Sequence, residues 1–191
     1  DSLIKTNNNT QLTEAMELVG KILTNEPSNK LALRKKAEIY SNLEDYDKAI
    51  TIAKKIVKLN PKDPKQINLL GTLYFSNDEN KKAIEQYQKA ILIDSTFFKA
   101  FFNIGLAFEE IKEYDKTILN YTKAIELEPS SELYRYRANC YIEMEDYTNA
   151  LKDLDRAIEA SPDDAYYYYI RADFYDDYLD NEELALEDYA N

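Results

Sequence analysis

Ile67-Asn68-Leu69-Leu70-Gly71-Thr72-Leu73-Tyr74 is answered 34 residues later by Phe101-Phe102-Asn103-Ile104-Gly105-Leu106-Ala107-Phe108. The same offset carries Ala83 to Thr117, Tyr87 to Tyr121 and Ala90 to Ala124. Downstream the pattern returns with Tyr134, Arg137-Ala138, Tyr141, Ala150, Leu154, Ala157 and Pro162, then with Tyr168, Arg171-Ala172, Tyr175, Leu184-Ala185 and Tyr189. Upstream it reads Leu33, Lys36-Ala37, Tyr40, Ala49, Ala53, Ile56 and Pro61, preceded by a half copy at Ala15, Val19, Ile22 and Pro27. A fixed period of this length is the mark of a repeat architecture.

Each copy reads as two helices. Ile67, Leu70, Gly71 and Tyr74 fall at i, i+3, i+4 and i+7, one face of a helix, and Ala83, Tyr87 and Ala90 mark a second. Between them Ser76-Asn77-Asp78-Glu79-Asn80 is a short polar joint suited to an antiparallel pair. Asn60-Pro61-Lys62-Asp63-Pro64 separates copies, with Asp63 placed to cap the next helix and Pro64 to open it. One pair cannot bury its apolar face alone, so the copies must stack.

The 34-residue spacing, the Leu-Gly-x-x-Tyr run and the following Ala, Tyr, Ala and Pro positions resemble the tetratricopeptide repeat. The resemblance implies an all-α fold, an α-solenoid of stacked antiparallel helix pairs wound as a right-handed superhelix. In that register the chain is a single solenoid. Residues 1–29 form a partial first repeat, with a first helix truncated over Asp1–Asn9. Repeats follow over 30–63, 64–97, 98–130 and 131–164, and 165–191 is a last copy whose spacing gains one residue.

Composition narrows the function. The 191 residues hold no His and no Trp, one Cys and three isolated Gly. The commonest general base and metal ligand is missing, and no internal disulfide or phosphate-cradling glycine loop can form. Cys140 has no His to activate it and reads as small apolar filler. Asp176, Asp177, Asp180, Glu182 and Glu183 lack the order and turn glycine of a calcium loop. The expectation is therefore a protein that is not an enzyme and carries no metal or cofactor.

Net charge is −12, the wrong sign for a nucleic-acid or anionic membrane partner, and no apolar stretch approaches a membrane span. Lys-rich stretches such as Arg34-Lys35-Lys36 read as solvated helix faces. The charge is uneven: residues 1–97 carry 15 basic and 13 acidic side chains, and 98–191 carry 9 and 23. No leader segment is visible, although the chain begins at Asp1 and not at Met. Compartment stays open, with the cytoplasm ahead of the cell envelope.

The resemblance implies that the first helix of each pair lines a concave groove. The residues between its packing positions then select a partner-binding set: Lys99, Phe102 and Asn103, then Arg135, Tyr136 and Asn139, then Tyr166, Tyr169, Ile170 and Asp173. Eleven of the 17 Tyr lie from Tyr134 onward. In the run Tyr166–Tyr169, Tyr168 takes the core slot, while Tyr166 and Tyr169 face the groove. Tyr joins a large apolar area to a hydrogen-bonding tip, which suits peptide contact. The two-carboxylate clamp of chaperone-tail binders is supplied in neither register. From the Asn68 helix, Glu132 and Tyr136 stand where Lys and Arg are needed, and one copy earlier the set reads Arg34 and Glu38, Leu69, then Lys99 and Asn103. The function expected is a non-catalytic scaffold whose groove takes a protein or peptide, with a basic one favoured by the acidic half. The alternative is a self-assembling repeat module joined through uncapped ends, or a regulatory segment of a larger protein.

Overall fold

The computed structural model describes the backbone of residues 2–191 and the side chains of residues 12–191. The truncated helix expected over Asp1–Asn9 therefore lies wholly outside the described side chains. Among the described residues there are eleven helices and no strand. They are α1 (Ser2–Asn25), α2 (Lys30–Asn42), α3 (Tyr46–Leu59), α4 (Pro64–Ser76), α5 (Asn80–Ile93) and α6 (Phe98–Glu110). Then come α7 (Tyr114–Leu127), α8 (Ser131–Glu143), α9 (Tyr147–Ala160), α10 (Ala165–Leu179) and α11 (Glu182–Tyr189).

Helix starts follow the local chemistry. Asn29 accepts a hydrogen bond from the Ala32 N–H at 3.0 Å, Asp63 from Lys65 at 3.0 Å, Ser130 from Leu133 at 3.3 Å and Asp164 from Tyr166 at 3.1 Å. Each satisfies a backbone donor that the first helical turn leaves unpaired. Pro64 occupies the first position of α4, where its missing N–H costs nothing.

The joint inside each pair is the same device repeated. Tyr40, Tyr74, Phe108 and Tyr141 carry the carbonyls that accept from the N–H of Asp45, Glu79, Glu113 and Asp146, at 2.8 to 2.9 Å. The intervening Glu44, Asp78, Lys112 and Glu145 sit in the left-handed region, at φ 57 to 60°. This is the Schellman stop, normally made with glycine. Here none of the turns uses one, which explains how five helix pairs coexist with three Gly. A Lys three residues into the following helix then pairs with the capping acid and lies over the preceding ring. Lys48 does so with Asp45 and Tyr40, Lys82 with Glu79 and Tyr74, and Lys116 with Glu113 and Phe108.

In the last pair the left-handed residue is Asp180, at φ 49°, and α10 runs to 15 residues where α4, α6 and α8 have 13. Against the α8–α9 pair, α10 is two residues longer and the joint after it one residue shorter, a net gain of one.

The core is built from small residues beneath large ones. A β-carbon on Gly71 would stand 2.5 Å from Cε1 of Tyr87, and one on Gly105 would collide with the Tyr121 ring. Both rings are fully buried. One repeat later Ala138 clusters with the smaller Leu154, together with Ala150 and Phe174. Two helices of the same pair thus approach closely because the larger partner meets the smaller floor.

The pairs α8–α9 and α10–α11 each add a buried ion pair. Arg137 on α8 grips Asp153 on α9 through two nitrogens at 2.7 Å and reaches Thr122 on α7 at 2.8 Å. Arg171 on α10 repeats this with Asp188 on α11 at 2.7 Å and Asp155 on α9 at 2.6 Å. Each arginine ties its own pair to the second helix of the preceding one. The three earlier copies place Lys36, Leu70 and Ile104 at this position.

The chain divides into two units, Asp1–Asp94 and Ser95–Asn191. In the first, α1 to α5 pack successively; in the second, α6 to α11 do the same. Every residue of the expected partner-binding set belongs to the second unit.

Candidate functional site

In the second unit the first helices of the pairs are α6, α8 and α10. Phe102 on α6 and Tyr136 on α8 meet edge to face, with centroids 5.1 Å apart at 64°. Tyr121 on α7 lies beneath, 5.8 Å from each. The Arg135 guanidinium lies over the Tyr136 ring, 4.4 Å from its centroid. Phe102, Tyr136 and Arg135 are all half-buried over this Tyr121 floor, and Phe102 also packs on the core cluster of Ala124, Ile125 and Leu133. Lys99 is exposed one turn before Phe102, and Asn103 is half-buried beside it.

The floor is polar underneath. The Tyr121 hydroxyl donates to the Glu109 carboxylate. Burial first, and then this carboxylate, pushes the phenol well above its usual range. Asn139 opens on a cavity of about 400 Å³ that it lines with Glu109, Lys112, Tyr114, Ile142, Glu143 and Tyr178. Tyr114 donates to Glu143 across it at 3.1 Å. Cys140 lies buried beside these acids, and burial chiefly, with Glu109 and Glu143 adding to it, pushes its thiol up to about 12. Such a thiol stays protonated and inert, in keeping with the filler role expected of it.

On α10, Tyr166 and Tyr169 are 52% and 55% exposed. Tyr166 meets Tyr167 edge to face at 5.5 Å. Tyr169 meets Tyr189 of α11 at 5.7 Å and 55°, and the Tyr189 hydroxyl donates to Asp173 at 2.7 Å. That bond first, then burial and the charges of Asp173 and Asp176, raises the Tyr189 phenol to about 12. Ile170 turns inward and packs on the cluster of Ala138, Ala150, Leu154 and Phe174, so much of its apolar surface serves the core. Tyr168 is half-buried under Arg171, and the fully buried aromatic of α10 is Phe174.

Phe102, Arg135 and Tyr136 are thus brought together, Tyr169 and Asp173 form a second group, and Asn139 opens a cavity of its own. Tyr121, Glu109, Glu143, Tyr178 and Tyr189 complete these groups and come from positions that the first-helix rule passes over. Gly105 was the available signal for Tyr121, since a glycine in a packing slot announces a large ring opposite.

Comparison with known proteins agrees with the geometry. Family models described as tetratricopeptide repeat match residues 9–73, 98–131 and 131–164, and one described as TPR repeat matches residues 71–112. The chain belongs to the tetratricopeptide repeat family. Among solved structures, this tetratricopeptide protein is similar to MamA, with 26% identity, 83% of this chain and 93% of that one covered, and a TM-score of 0.72. It shares its fold with the C-terminal part of a TPR repeat-containing protein from Cytophaga hutchinsonii, at 21% identity, 96% and 73% coverage and a TM-score of 0.78. It also shares it with YrrB, described as a TPR protein with an unusual peptide-binding site, at 19% identity, 91% and 89% coverage and a TM-score of 0.66. No curated protein matches the chain. Among the described residues, no helix is long and apolar enough to cross a membrane.

Proposed function

We propose that the chain is a non-catalytic protein-interaction scaffold, and that α6, α8 and α10 of the second unit present a surface for an extended peptide or a partner's helix. The observation that carries this is the exposure of Tyr166 and Tyr169, at 52% and 55%, one turn apart on α10. Side by side on one helix, they offer apolar ring area with hydrogen-bonding tips, the composition that suits peptide contact. On α8 and α6, Tyr136 and Phe102 form a second anchor, with Arg135 stacked at its edge. Fold alone does not decide function, but YrrB is a repeat protein of this fold described as binding a peptide. The excess of acids over bases after residue 97 favours a basic partner, mainly through faster encounter.

Selection of a random 16-residue peptide library against the full chain tests this. Recovery of basic, aromatic-containing peptides whose association slows between about 20 mM and 150 mM salt supports it. Recovery of no binder contradicts it, and a flat salt response removes the acidic steering.

Self-association is a second reading with an observation of its own. Leu12, Thr13, Met16, Ile39 and Leu43 line an open apolar cavity of about 430 Å³ between α1 and α2. Sedimentation equilibrium over a concentration series checks it, and a strictly monomeric chain argues against it.

A further inference from the structure

From Asp163 onward the chain carries ten acidic side chains and one base, Arg171. That base is engaged, with Asp188 at 2.7 Å and Asp155 at 2.6 Å. The α10–α11 side of the second unit therefore carries a large excess of acids over bases within its own sequence.

On that side Tyr169 and Tyr189 do not stack. Their rings are tilted, 5.7 Å apart at 55°, both side chains are exposed, and ring faces carry the negative lobe of the quadrupole. Asp173, one turn after Tyr169, holds Tyr189 in place by accepting its hydroxyl at 2.7 Å. A carboxylate has about four acceptor positions, so this single bond leaves it able to accept more. Asp176 is near enough to act on the same hydroxyl. Ring faces and carboxylates both attract a cation, and both repel an anion. A planar guanidinium matches the set best, because it can lie against one ring and fork to a carboxylate at the same time.

We propose that Tyr169, Tyr189 and Asp173 form a receptor for one arginine side chain of a bound basic peptide. The proposal rests on the peptide-binding reading above and specifies what is recognised at this end of the surface. The simpler role for the three residues is a latch of α11 onto α10. Asp173→Asn separates the two, since an amide oxygen still accepts the Tyr189 hydroxyl while the charge is gone.

The test is an NMR titration of the full chain with Nα-acetyl-arginine amide, with Nα-acetyl-citrulline amide as the uncharged counterpart. The expected result is saturable shifts at the Tyr169 and Tyr189 rings, at least roughly tenfold weaker with citrulline and in Asp173→Asn, whose circular dichroism and melting stay unchanged. Equal response to arginine and citrulline, shifts located elsewhere, or full affinity in Asp173→Asn overturns the proposal. Peptides that bind through Tyr136 but tolerate citrulline for every arginine overturn it and leave the peptide-binding reading intact. An intact arginine-amide response with no peptide binding overturns that reading instead.

Discussion

Gly105 lies directly against the ring of Tyr121, so close that a β-carbon at residue 105 would overlap it. The ring cannot retreat, because it is fully buried and its hydroxyl is held by Glu109. Gly105→Ala should therefore destabilise the chain by about 1–3 kcal/mol, against the small gain in helix propensity that Ala normally brings. Gly105→Ala combined with Tyr121→Leu recreates the Ala138 and Leu154 pairing of a neighbouring repeat, and should recover part of that loss. Urea unfolding of the two variants checks both statements.

Glu44 sits at φ 58° on the exposed Schellman turn between α2 and α3. A side chain there costs about 1–2 kcal/mol, and glycine avoids it at about 0.5–1 kcal/mol of extra chain entropy. Glu44→Gly should thus stabilise the chain by about 0.5 kcal/mol, a small rise in urea midpoint with an unchanged slope.

Arg137 and Asp153 are buried against each other, with the carboxylate side chain only 4% exposed. Asp153→Ala leaves a buried guanidinium unpaired and should cost about 3–5 kcal/mol. Replacing both by leucine, as Leu70 stands in an earlier repeat, should return most of that. A double-mutant cycle in urea reads the difference.

Alkaline pH should unfold the chain through its buried phenols and thiol. Burial lifts Tyr87 from near 10 to about 12 and Cys140 from near 9 to about 12. Between those values the unfolded chain has lost protons that the folded chain retains, so stability falls as pH rises. It should begin to fall near pH 9, steepen above 10 and continue to about 12, with no contribution from these groups below 9. Tyr87→Phe should flatten the upper part of the curve, measured by urea unfolding at fixed pH values.

The fold was legible because its determinants recur at a fixed period. Leu70-Gly71-x-x-Tyr74 and its copies mark the helix faces, Asp63-Pro64 marks a start, and the extra residue before Tyr189 marks the irregular last pair. Its turns were less legible, since Glu44 and Lys112 give no sign in sequence that they take a conformation glycine prefers. The candidate site was legible where exposure follows from helix phase, as at Tyr166 and Tyr169. Phase alone could not tell that Ile170 turns to the core, because that depends on Phe174 and Leu154 from other elements. Nor could it find Tyr189, which reaches Asp173 from a different helix.

The central claim is that α8 and α10 of the second unit carry the anchors for a peptide. Its most direct test is the affinity of a library-selected peptide, by fluorescence anisotropy, for the wild-type chain, Tyr136→Ala and Tyr169→Ala. Each substitution should weaken binding by roughly tenfold or more while the melting curve of Tyr169→Ala, an exposed position, stays in place. Full affinity in both variants would contradict the account.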